Sequence, residues 1–200
     1  MATDVPKIIQ NLLAVYDSSG RTIIVVGAGS GQFIEYGRRA AQILALDSDA
    51  EAIRLLRENL KKAGLEDRVT PILGDFYESV LKGDAVLFEF CLHEMSDPQA
   101  AIRHAQTMAP DIVIIDHWPD SEWSYYTAEA EKVRVSWEAL ESFPLRKKQS
   151  YGAVNFFNDY DELYLKLKVQ GELSLARIEK FRSKKNIAIP ISYGIALIQG

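Results

Sequence analysis

Short apolar runs alternate with segments of helical periodicity along the first half of this chain. Runs typical of buried strands lie at 22–26, 43–46, 69–73, 85–90 and 112–115. Apolar residues recur every three or four positions in segments next to these runs, at 5–16, 32–41, 49–63 and 98–108. Strands that alternate with helices predict a parallel sheet with helices on both faces. We therefore predict five parallel strands in an α/β domain.

The pattern changes after residue 116. Residues 121–143 carry an apolar stripe at spacings of four and three, which predicts a helical insertion. A further helix is predicted at 159–170, and two closing strands are predicted at 173–181 and 191–198. Because no linker or internal repeat divides the 200 residues, one domain is expected.

Composition narrows the classes of function. The net charge of −5 gives no uniform attraction to phosphate, so a nucleic-acid partner is not expected. Cys91 is the single cysteine, which excludes an intrachain disulfide framework and a cysteine-rich metal site, and we predict no metal site. No apolar run approaches the ~20 residues of a membrane span, and the N-terminus lacks signal-peptide features. We expect a soluble, cytoplasmic protein with no membrane partner.

A glycine-rich turn follows the first predicted strand of the sheet. The run IIVVGAGSG occupies 23–31, and Asp47 closes the next strand twenty positions after Gly27. Glycine lets the backbone approach a ligand closely, and a carboxylate at the second strand end can accept hydrogen bonds from ribose hydroxyls. The dinucleotide fingerprint would require glycine at position 32, where this chain has Gln32. The spacing favours an adenosyl cofactor without phosphates over NAD(P), and a ligand-free structural turn is the alternative.

Four segments resemble class I S-adenosylmethionine-dependent methyltransferases over about residues 20–116: VVGAGSGQF, ALDSD, DRVTPILGDF and DAVLFEFCLHEMSDP. The last segment is similar to the quinone-biosynthesis and small-molecule branches of that family. The resemblance implies S-adenosylmethionine as cofactor and S-adenosylhomocysteine as product. It also implies a Rossmann-like seven-stranded sheet, with five parallel strands and an antiparallel closing pair, helices on both faces and a helical lid after strand five.

With this resemblance the single domain, 1–200, divides into four parts. They are an N-terminal helix, a cofactor-binding core, a lid or substrate insertion, and a closing helix with strands, at 1–18, 20–116, 117–158 and 159–200.

The resemblance also implies which residues contact the cofactor. Four residues of the turn would line its methionine part, Asp47 would hold the ribose, Asp75 would accept from the adenine amine, and the remaining two would lie beside the adenine. These residues are Gly27, Ala28, Gly29, Gly31, Asp47, Ser48, Asp75 and Phe76. Family members often carry an acid two positions before the first glycine, where this chain has Val25. Glu35 or Glu89 is a candidate replacement, and Phe90 is grouped with Glu89 as a cofactor contact.

Candidate catalytic residues follow predicted strands four and five. Methyl transfer needs alignment of a nucleophile with the methyl group, and a base only when the nucleophile arrives protonated. His93 and Glu94 follow strand four and His117 follows strand five, at the sheet edge where ligands bind in this architecture. The alternative for each histidine is a structural role in its loop.

Aromatic residues in the insertion are candidates for substrate contact. Trp118, Trp123 and Tyr125 would suit a flat apolar acceptor or a cationic amine. A homodimer interface is the alternative use of the insertion. The predicted function is methyl transfer to a small molecule. Two other functions stay open: a non-catalytic interaction subunit, and an aminopropyl transferase whose polyamine would meet acids such as Glu89, Glu94 and Asp116.

Overall fold

A single mixed sheet organises the chain. The computed structural model describes residues 2–199, with side chains from residue 4 onward. The strands are β1 (Ala2–Thr3), β2 (Thr22–Val26), β3 (Gln42–Asp47), β4 (Val69–Leu73), β5 (Ala85–Glu89), β6 (Asp111–His117), β7 (Leu145–Asp159) and β8 (Lys185–Gln199). The α-helices are α1 (Val5–Val15), α2 (Ala50–Ala63), α3 (Pro98–Met108), α4 (Glu122–Tyr126), α5 (Ala130–Ala139), α6 (Tyr160–Leu167) and α7 (Glu172–Ile178).

The strand order is β1-β7-β8-β6-β5-β2-β3-β4. Strands β2 to β6 are parallel, and β8 runs antiparallel to both β6 and β7. The predicted Rossmann-like sheet of five parallel strands with an antiparallel closing pair is therefore confirmed. The two-residue β1, which pairs antiparallel with β7, was not predicted and extends the sheet to eight strands.

Helices cover both faces of the parallel strands. Alternate residues of β2 point to opposite faces, so Ile23 packs with α1 and α2 while Ile24 packs with α3 and α5. Each of these two isoleucines is at most 2% exposed, because a sheet covered on both faces leaves neither side to water. This double burial explains why the parallel strands appear in the sequence as continuous apolar runs.

A third apolar cluster lies at the end of the sheet. Helices α4, α6 and α7 pack on the outer parts of β7 and β8, and we refer to these three helices as the cap. Its core is formed by buried aromatic and aliphatic side chains: Trp123, Tyr126, Phe157, Leu163, Leu167, Ile178, Phe181, Ile187, Ile189 and Ile191. The cap thus lies over the carboxyl ends of β5 and β6.

Three predicted helix boundaries are confirmed by their capping groups. Asp49 caps α2 by accepting a hydrogen bond from the backbone N–H of Glu51 at 2.8 Å, and Gly64 ends the same helix in the left-handed conformation. Asp97 caps α3 by accepting from the N–H of Ala100 at 2.9 Å. Both helices connect parallel strands, so their ends fix where the flanking loops begin.

The prediction of a helix at 32–41 is wrong in type. Only a 3-10 helix forms, at Ile34–Arg38. Tyr36 is buried and its hydroxyl donates to Glu89, while a Cβ on Gly37 would lie 2.8 Å from the Ile43 side chain. The segment is therefore held tightly against the strands, and this close packing replaces a regular helix.

The predicted strand at 173–181 is also wrong. This segment forms α7 and a following 3-10 turn, Glu179–Phe181. Ser174 and Ile178, four residues apart, are the buried positions of α7. Apolar residues in so short a segment fit either period, and packing against the rest of the cap selects the helix.

The helical insertion is shorter than predicted. Residues 145–158, which the sequence placed in the insertion, belong to the long strand β7. The helical part is divided at Ala128, whose φ of +61° interrupts it between α4 and α5. Polar residues dominate the first half of β7 and are mostly exposed, and the described residues of β1 pair with β7 in its second half, at Asn155 and Phe156. A strand with this composition carries little apolar signal.

Across residues 2–199, none of the helices combines the length and the apolar character that crossing a membrane would require.

Candidate active site

The glycine turn lies where β2 ends at the carboxyl edge of the sheet. Gly27 has φ of +72°, and a Cβ at this position would lie 2.5 Å from the Cβ of Cys91. Only glycine satisfies both the backbone conformation and this close approach. The turn is tied to the neighbouring strand by a hydrogen bond from the N–H of Gly27 to the carbonyl of Leu46, at 3.1 Å.

Asp47 holds the same turn from the end of β3. One carboxylate oxygen accepts from the N–H of Gly29 at 2.8 Å, and the other accepts from the N–H of Asp49 at 2.9 Å. Val26 pairs in register with Leu46, which brings the two strand ends side by side. The acid predicted to bind a ribose therefore also orders the glycine turn.

An open cleft of about 540 Å³ runs along this edge. Five predicted cofactor residues line it: Gly27, Asp47, Ser48, Asp75 and Phe76. Ala28, Gly29 and Gly31 belong to the adjoining turn and are not among the lining residues. Sequence reasoning missed Tyr77, Cys91, Met95 and Ser96, which also line the cleft. Tyr77 directly follows the predicted contacts Asp75 and Phe76 in the sequence, and this adjacency could have indicated it. Its backbone N–H donates to the Asp75 carboxylate at 2.7 Å.

Glu89 and Phe90 do not line this cleft. Glu89 is buried and accepts a hydrogen bond from the Tyr36 hydroxyl at 2.8 Å. Burial raises the pKa of Glu89 to about 8, although the hydrogen bond from Tyr36 acts in the opposite direction. Glu35 is exposed and pairs with Arg38. Neither Glu35 nor Glu89 therefore lines the cleft as a replacement for the acidic residue that family members often carry at the position of Val25.

A second space, the inner pocket, lies between the ends of β5 and β6 and the cap. It consists of two lobes of about 180 Å³ and 220 Å³. Both lobes are lined by Phe90, His117, Trp123 and Lys166. Glu94 lines both the larger lobe and the cleft, so the two spaces adjoin at its side chain.

His93 lies at this junction and is 6% exposed. Its Nδ1 lies 2.6 Å from a carboxylate oxygen of Asp116, whose second oxygen accepts from the backbone N–H of His93 at 3.0 Å. Burial alone would lower the pKa of His93, but the hydrogen bond to Asp116 and the nearby Glu94 and Glu129 outweigh it and raise the pKa to about 10. The imidazole is thus fixed in position and surrounded by carboxylates.

His117 faces the same pocket in a different electrostatic state. Its ring centroid lies 5.6 Å from that of His93 and 5.1 Å from that of Phe90. Among the described residues its Nδ1 is buried without a hydrogen-bond partner. Burial lowers the pKa of His117 to about 4, against the influence of Asp116. The two predicted histidines are therefore brought together, one tied to a carboxylate and one with a buried nitrogen unpaired.

Glu94 and Glu129 complete this group. Glu94 pairs with Lys132 at 2.8 Å, and its contact with His93 holds the pKa of Glu94 well below the usual range. Glu129 is buried, and burial raises its pKa. Sequence reasoning missed Glu129, because it lies far from His93 along the chain and no local pattern marks it. It reaches the site because α5 packs against the 3-10 turn Leu92–Glu94.

The structure separates the three predicted aromatic contacts. Trp123 lines the inner pocket and stacks on Phe157 at a centroid distance of 5.8 Å. Trp118 packs instead on Trp137, 4.7 Å between centroids, and lines neither the cleft nor the inner pocket. Tyr125 is 49% exposed beneath the Arg177 guanidinium, on the outside of the cap. Trp123 alone among them is placed to contact a substrate in the inner pocket.

The part of the sequence that contains strands β2 to β5 is similar to known proteins. Residues 23–110 match a family described as "Methyltransferase domain". A tRNA (guanine(37)-N(1))-methyltransferase from Methanocaldococcus jannaschii is 37% identical over 65 residues, which are 32% of this chain and 19% of that enzyme. The chain thus matches about a fifth of the length of that relative.

Solved structures share the fold across nearly the whole chain. A SAM-dependent methyltransferase from Aquifex aeolicus gives a TM-score of 0.61 at 18% identity, covering 98% of this chain and 90% of that one. A SAM-dependent O-methyltransferase from Thermotoga maritima gives 0.63 at 18% identity, covering 98% and 66%. Precorrin 8w decarboxylase from Methanobacterium thermoautotrophicum gives 0.64 at 15% identity, covering 97% and 90%. At these identities the likeness is one of fold.

Proposed function

Because residues 23–110 match the methyltransferase-domain family and the fold is shared with S-adenosylmethionine-dependent methyltransferases, we propose that this protein transfers a methyl group to a small-molecule acceptor. The cofactor of this family is S-adenosylmethionine. One observation carries the proposal: a cleft lined by the glycine turn, Asp47 and Asp75 adjoins a separate pocket at Glu94.

The cleft suits an adenosyl ligand without a diphosphate. Asp47 and Asp75 offer carboxylates at separate points along it, for a ribose and an adenine amine. A 3-10 helix, in place of an α-helix, follows the glycine turn, so the helix N-terminus that binds a diphosphate in dinucleotide enzymes is missing at this point. Its volume of about 540 Å³ lies within the range of cofactor sites.

The inner pocket supports a small acceptor. Phe90 and Trp123 provide aromatic walls, Lys166 contributes an ammonium to both lobes, and Glu94 and Glu129 contribute carboxylates to the larger one. Lobes of about 180 Å³ and 220 Å³ under the cap favour a compact molecule with an apolar part. Macromolecular acceptors would have to reach past the cap.

The proposed reaction is an in-line displacement at the sulfonium. A lone pair of the acceptor forms the new bond to the methyl carbon, while the carbon–sulfur bond breaks and its electron pair stays on sulfur, giving S-adenosylhomocysteine. His93, Glu94 and His117 surround the junction of the two spaces, where they would position the acceptor, and the unprotonated imidazole of His117 would receive a proton if the acceptor carries one.

Calorimetric titration of the purified protein with S-adenosylmethionine, S-adenosylhomocysteine and NAD tests the cofactor assignment. We expect micromolar binding of both adenosyl ligands and no binding of NAD. Labelled S-adenosylmethionine then tests the acceptor, through transfer of the methyl group to a small-molecule fraction of cell extract. Silence from both adenosyl ligands would refute the proposal and would favour a non-catalytic interaction subunit.

Methylation of RNA is the second candidate, favoured by the identity to the tRNA methyltransferase. The net charge of −5 weighs against it, since binding to nucleic acid draws its affinity largely from contacts with phosphate. Unmodified tRNA in the same labelled assay distinguishes the two, because label in the RNA and none in small molecules would select this candidate. An aminopropyl transferase finds less support, since Glu89 and Asp116 are buried and already hydrogen-bonded.

A further inference from the structure

We propose that His93, Glu94 and Glu129 bind a divalent first-row transition-metal ion such as Zn²⁺ at the junction of the cleft and the inner pocket, with Asp116 orienting His93. The single cysteine predicted no metal site, and no local pattern in the sequence connects Glu129 with His93. Binding of the ion is independent of the proposed methyl transfer. Any role of the ion in binding an acceptor depends on the proposed methyl transfer.

The three side chains offer ligand atoms that all lie within 4.8 Å of one another. The Nε2 of His93 is 3.5 Å from an oxygen of Glu94 and 3.9 Å from an oxygen of Glu129. Ligand atoms around a tetrahedral ion with bonds of about 2.0–2.2 Å are about 3.3–3.6 Å apart. The distance from His93 to Glu94 lies in this range, and the distance from His93 to Glu129 exceeds it by a few tenths of an ångström, so a small shift of the Glu129 carboxylate would bring it within reach of the same ion.

Asp116 supplies the outer contact that metal-binding histidines usually have. It is 0% exposed, and its carboxylate lies 2.6 Å from Nδ1 of His93 while also accepting the backbone N–H of the same residue. A proton on Nδ1 leaves Nε2 with its lone pair toward Glu94 and Glu129. Such a carboxylate–histidine pair fixes the tautomer and raises the basicity of the ligand nitrogen.

His117 provides a second, independent observation. Its Nδ1 is buried and unpaired among the described residues, and its ring lies 5.6 Å from that of His93. Both rings line the lobe of about 220 Å³ that also contains Glu94 and Glu129. A buried polar atom without a partner calls for an unseen one, such as a metal-bound water or an acceptor that occupies the open coordination position.

The charges and the donor types select the class of ion. Three carboxylates, from Glu94, Asp116 and Glu129, face one fixed cation, Lys132, which pairs with Glu94. A divalent ion would balance them with His93 neutral. Imidazole with carboxylates suits Zn²⁺, Mn²⁺ or Fe²⁺, whereas Mg²⁺ and Ca²⁺ prefer oxygen alone. The competing explanation is an ion-pair cluster in which a protonated His93 supplies the positive charge.

Titration of untagged, chelator-treated protein with Zn²⁺ by calorimetry tests the site, and Co²⁺ absorption in the visible range reports the ligand geometry. We expect one ion per chain, bound at micromolar affinity or tighter. Asp116→Asn should weaken binding about 10- to 100-fold, and Glu129→Gln and His93→Gln should weaken it more. Glu131→Gln, on the exposed face of α5, and His104→Gln are the controls and should leave binding of Zn²⁺ unchanged.

If the wild type does not bind Zn²⁺, or if Glu129→Gln binds it as strongly as the wild type does, the proposed metal site is wrong. The ion-pair cluster would then be the explanation of these contacts. Circular dichroism of every variant checks folding, and Glu129→Gln decides the matter if His93→Gln does not fold. Titration with S-adenosylmethionine on the same samples separates the two proposals. Cofactor binding without Zn²⁺ binding would remove the metal alone, while Zn²⁺ binding without cofactor binding would remove the methyltransferase function alone.

Discussion

Asp47 illustrates at the scale of one residue how a binding group also serves the fold. Its two carboxylate oxygens accept the backbone N–H groups of Gly29 and Asp49. A ribose that binds here adds its hydroxyl donors to the same carboxylate, which has lone pairs left for them. In the proposed cofactor site, Asp47 would therefore link the position of the glycine turn to that of the cofactor.

Asp47→Asn should weaken binding of S-adenosylmethionine by about 1–3 kcal/mol, because the amide keeps one acceptor oxygen and loses the charge and the second acceptor. Calorimetric titration measures the change. Asp67→Asn, in an exposed loop, is the matched control and should bind as the wild type does. Equal affinity for the Asp47 variant and the control would remove Asp47 from the cofactor site.

At the scale of elements, a buried hydrogen bond connects two segments that flank the glycine turn. Glu89 at the end of β5 accepts from Tyr36 in the 3-10 helix Ile34–Arg38. The pKa of this buried carboxyl is raised from 4.5 to about 8, so the folded protein retains a proton that the unfolded chain releases between these values. Each pH unit in this window costs the fold up to about 1.4 kcal/mol.

Glu89→Gln should flatten this pH dependence, since glutamine fills the same space and does not titrate. Between pH 5 and pH 8 the wild type should lose stability relative to the variant. Urea unfolding at several pH values measures the difference, and Glu66→Gln, at an exposed position, serves as the control. Parallel curves for the wild type and Glu89→Gln would show that the carboxyl is not protonated in the folded state.

At the scale of the whole molecule, the cleft is assembled from segments distant along the chain. The ends of β2 and β3, the segment after β4 and the turn after β5 all contribute to it. A ligand bound there contacts the folded protein alone and therefore stabilises all these segments together. S-adenosylmethionine at 100 times its dissociation constant should add about 2.7 kcal/mol.

For a domain of this size that gain corresponds to a rise in Tm of about 5–10 °C. Thermal unfolding followed by circular dichroism, with S-adenosylmethionine or NAD at the same concentration, checks it. NAD should leave Tm unchanged. A shift of the same size with both ligands would indicate that the cleft does not distinguish them.

The secondary structure could be predicted best where the local sequence pattern is strongest. Strands β2 and β4 have the predicted bounds, 22–26 and 69–73, and so does α3 at 98–108. Their patterns are strong because apolar runs or capping residues define them locally. The 15-residue β7 was missed, since it is largely polar and lies near the edge of the sheet. Segment 173–181 has no such local marker, and contacts with the cap decide its form.

The same contrast holds for the candidate site. Motif and spacing predicted that Gly27, Asp47 and Asp75 belong to one cofactor cleft, because parallel strands bring their carboxyl ends to a common edge. No spacing connects Glu129 to His93, and nothing local separates Trp123, which faces the inner pocket, from Trp118, which packs on Trp137. These pairings depend on how α5 and the cap pack over the sheet.

The sequence by itself determined the Rossmann-like sheet and its glycine turn and predicted an adenosyl cofactor, because each follows from short-range patterns of apolar residues, glycines and a strand-end acid. The tertiary structure alone decided that Glu89 locks Tyr36 instead of lining the cleft, and that two histidines and three carboxylates converge beside it. Such groups come into contact because residues far apart along the chain pack together, and local sequence patterns do not predict these contacts.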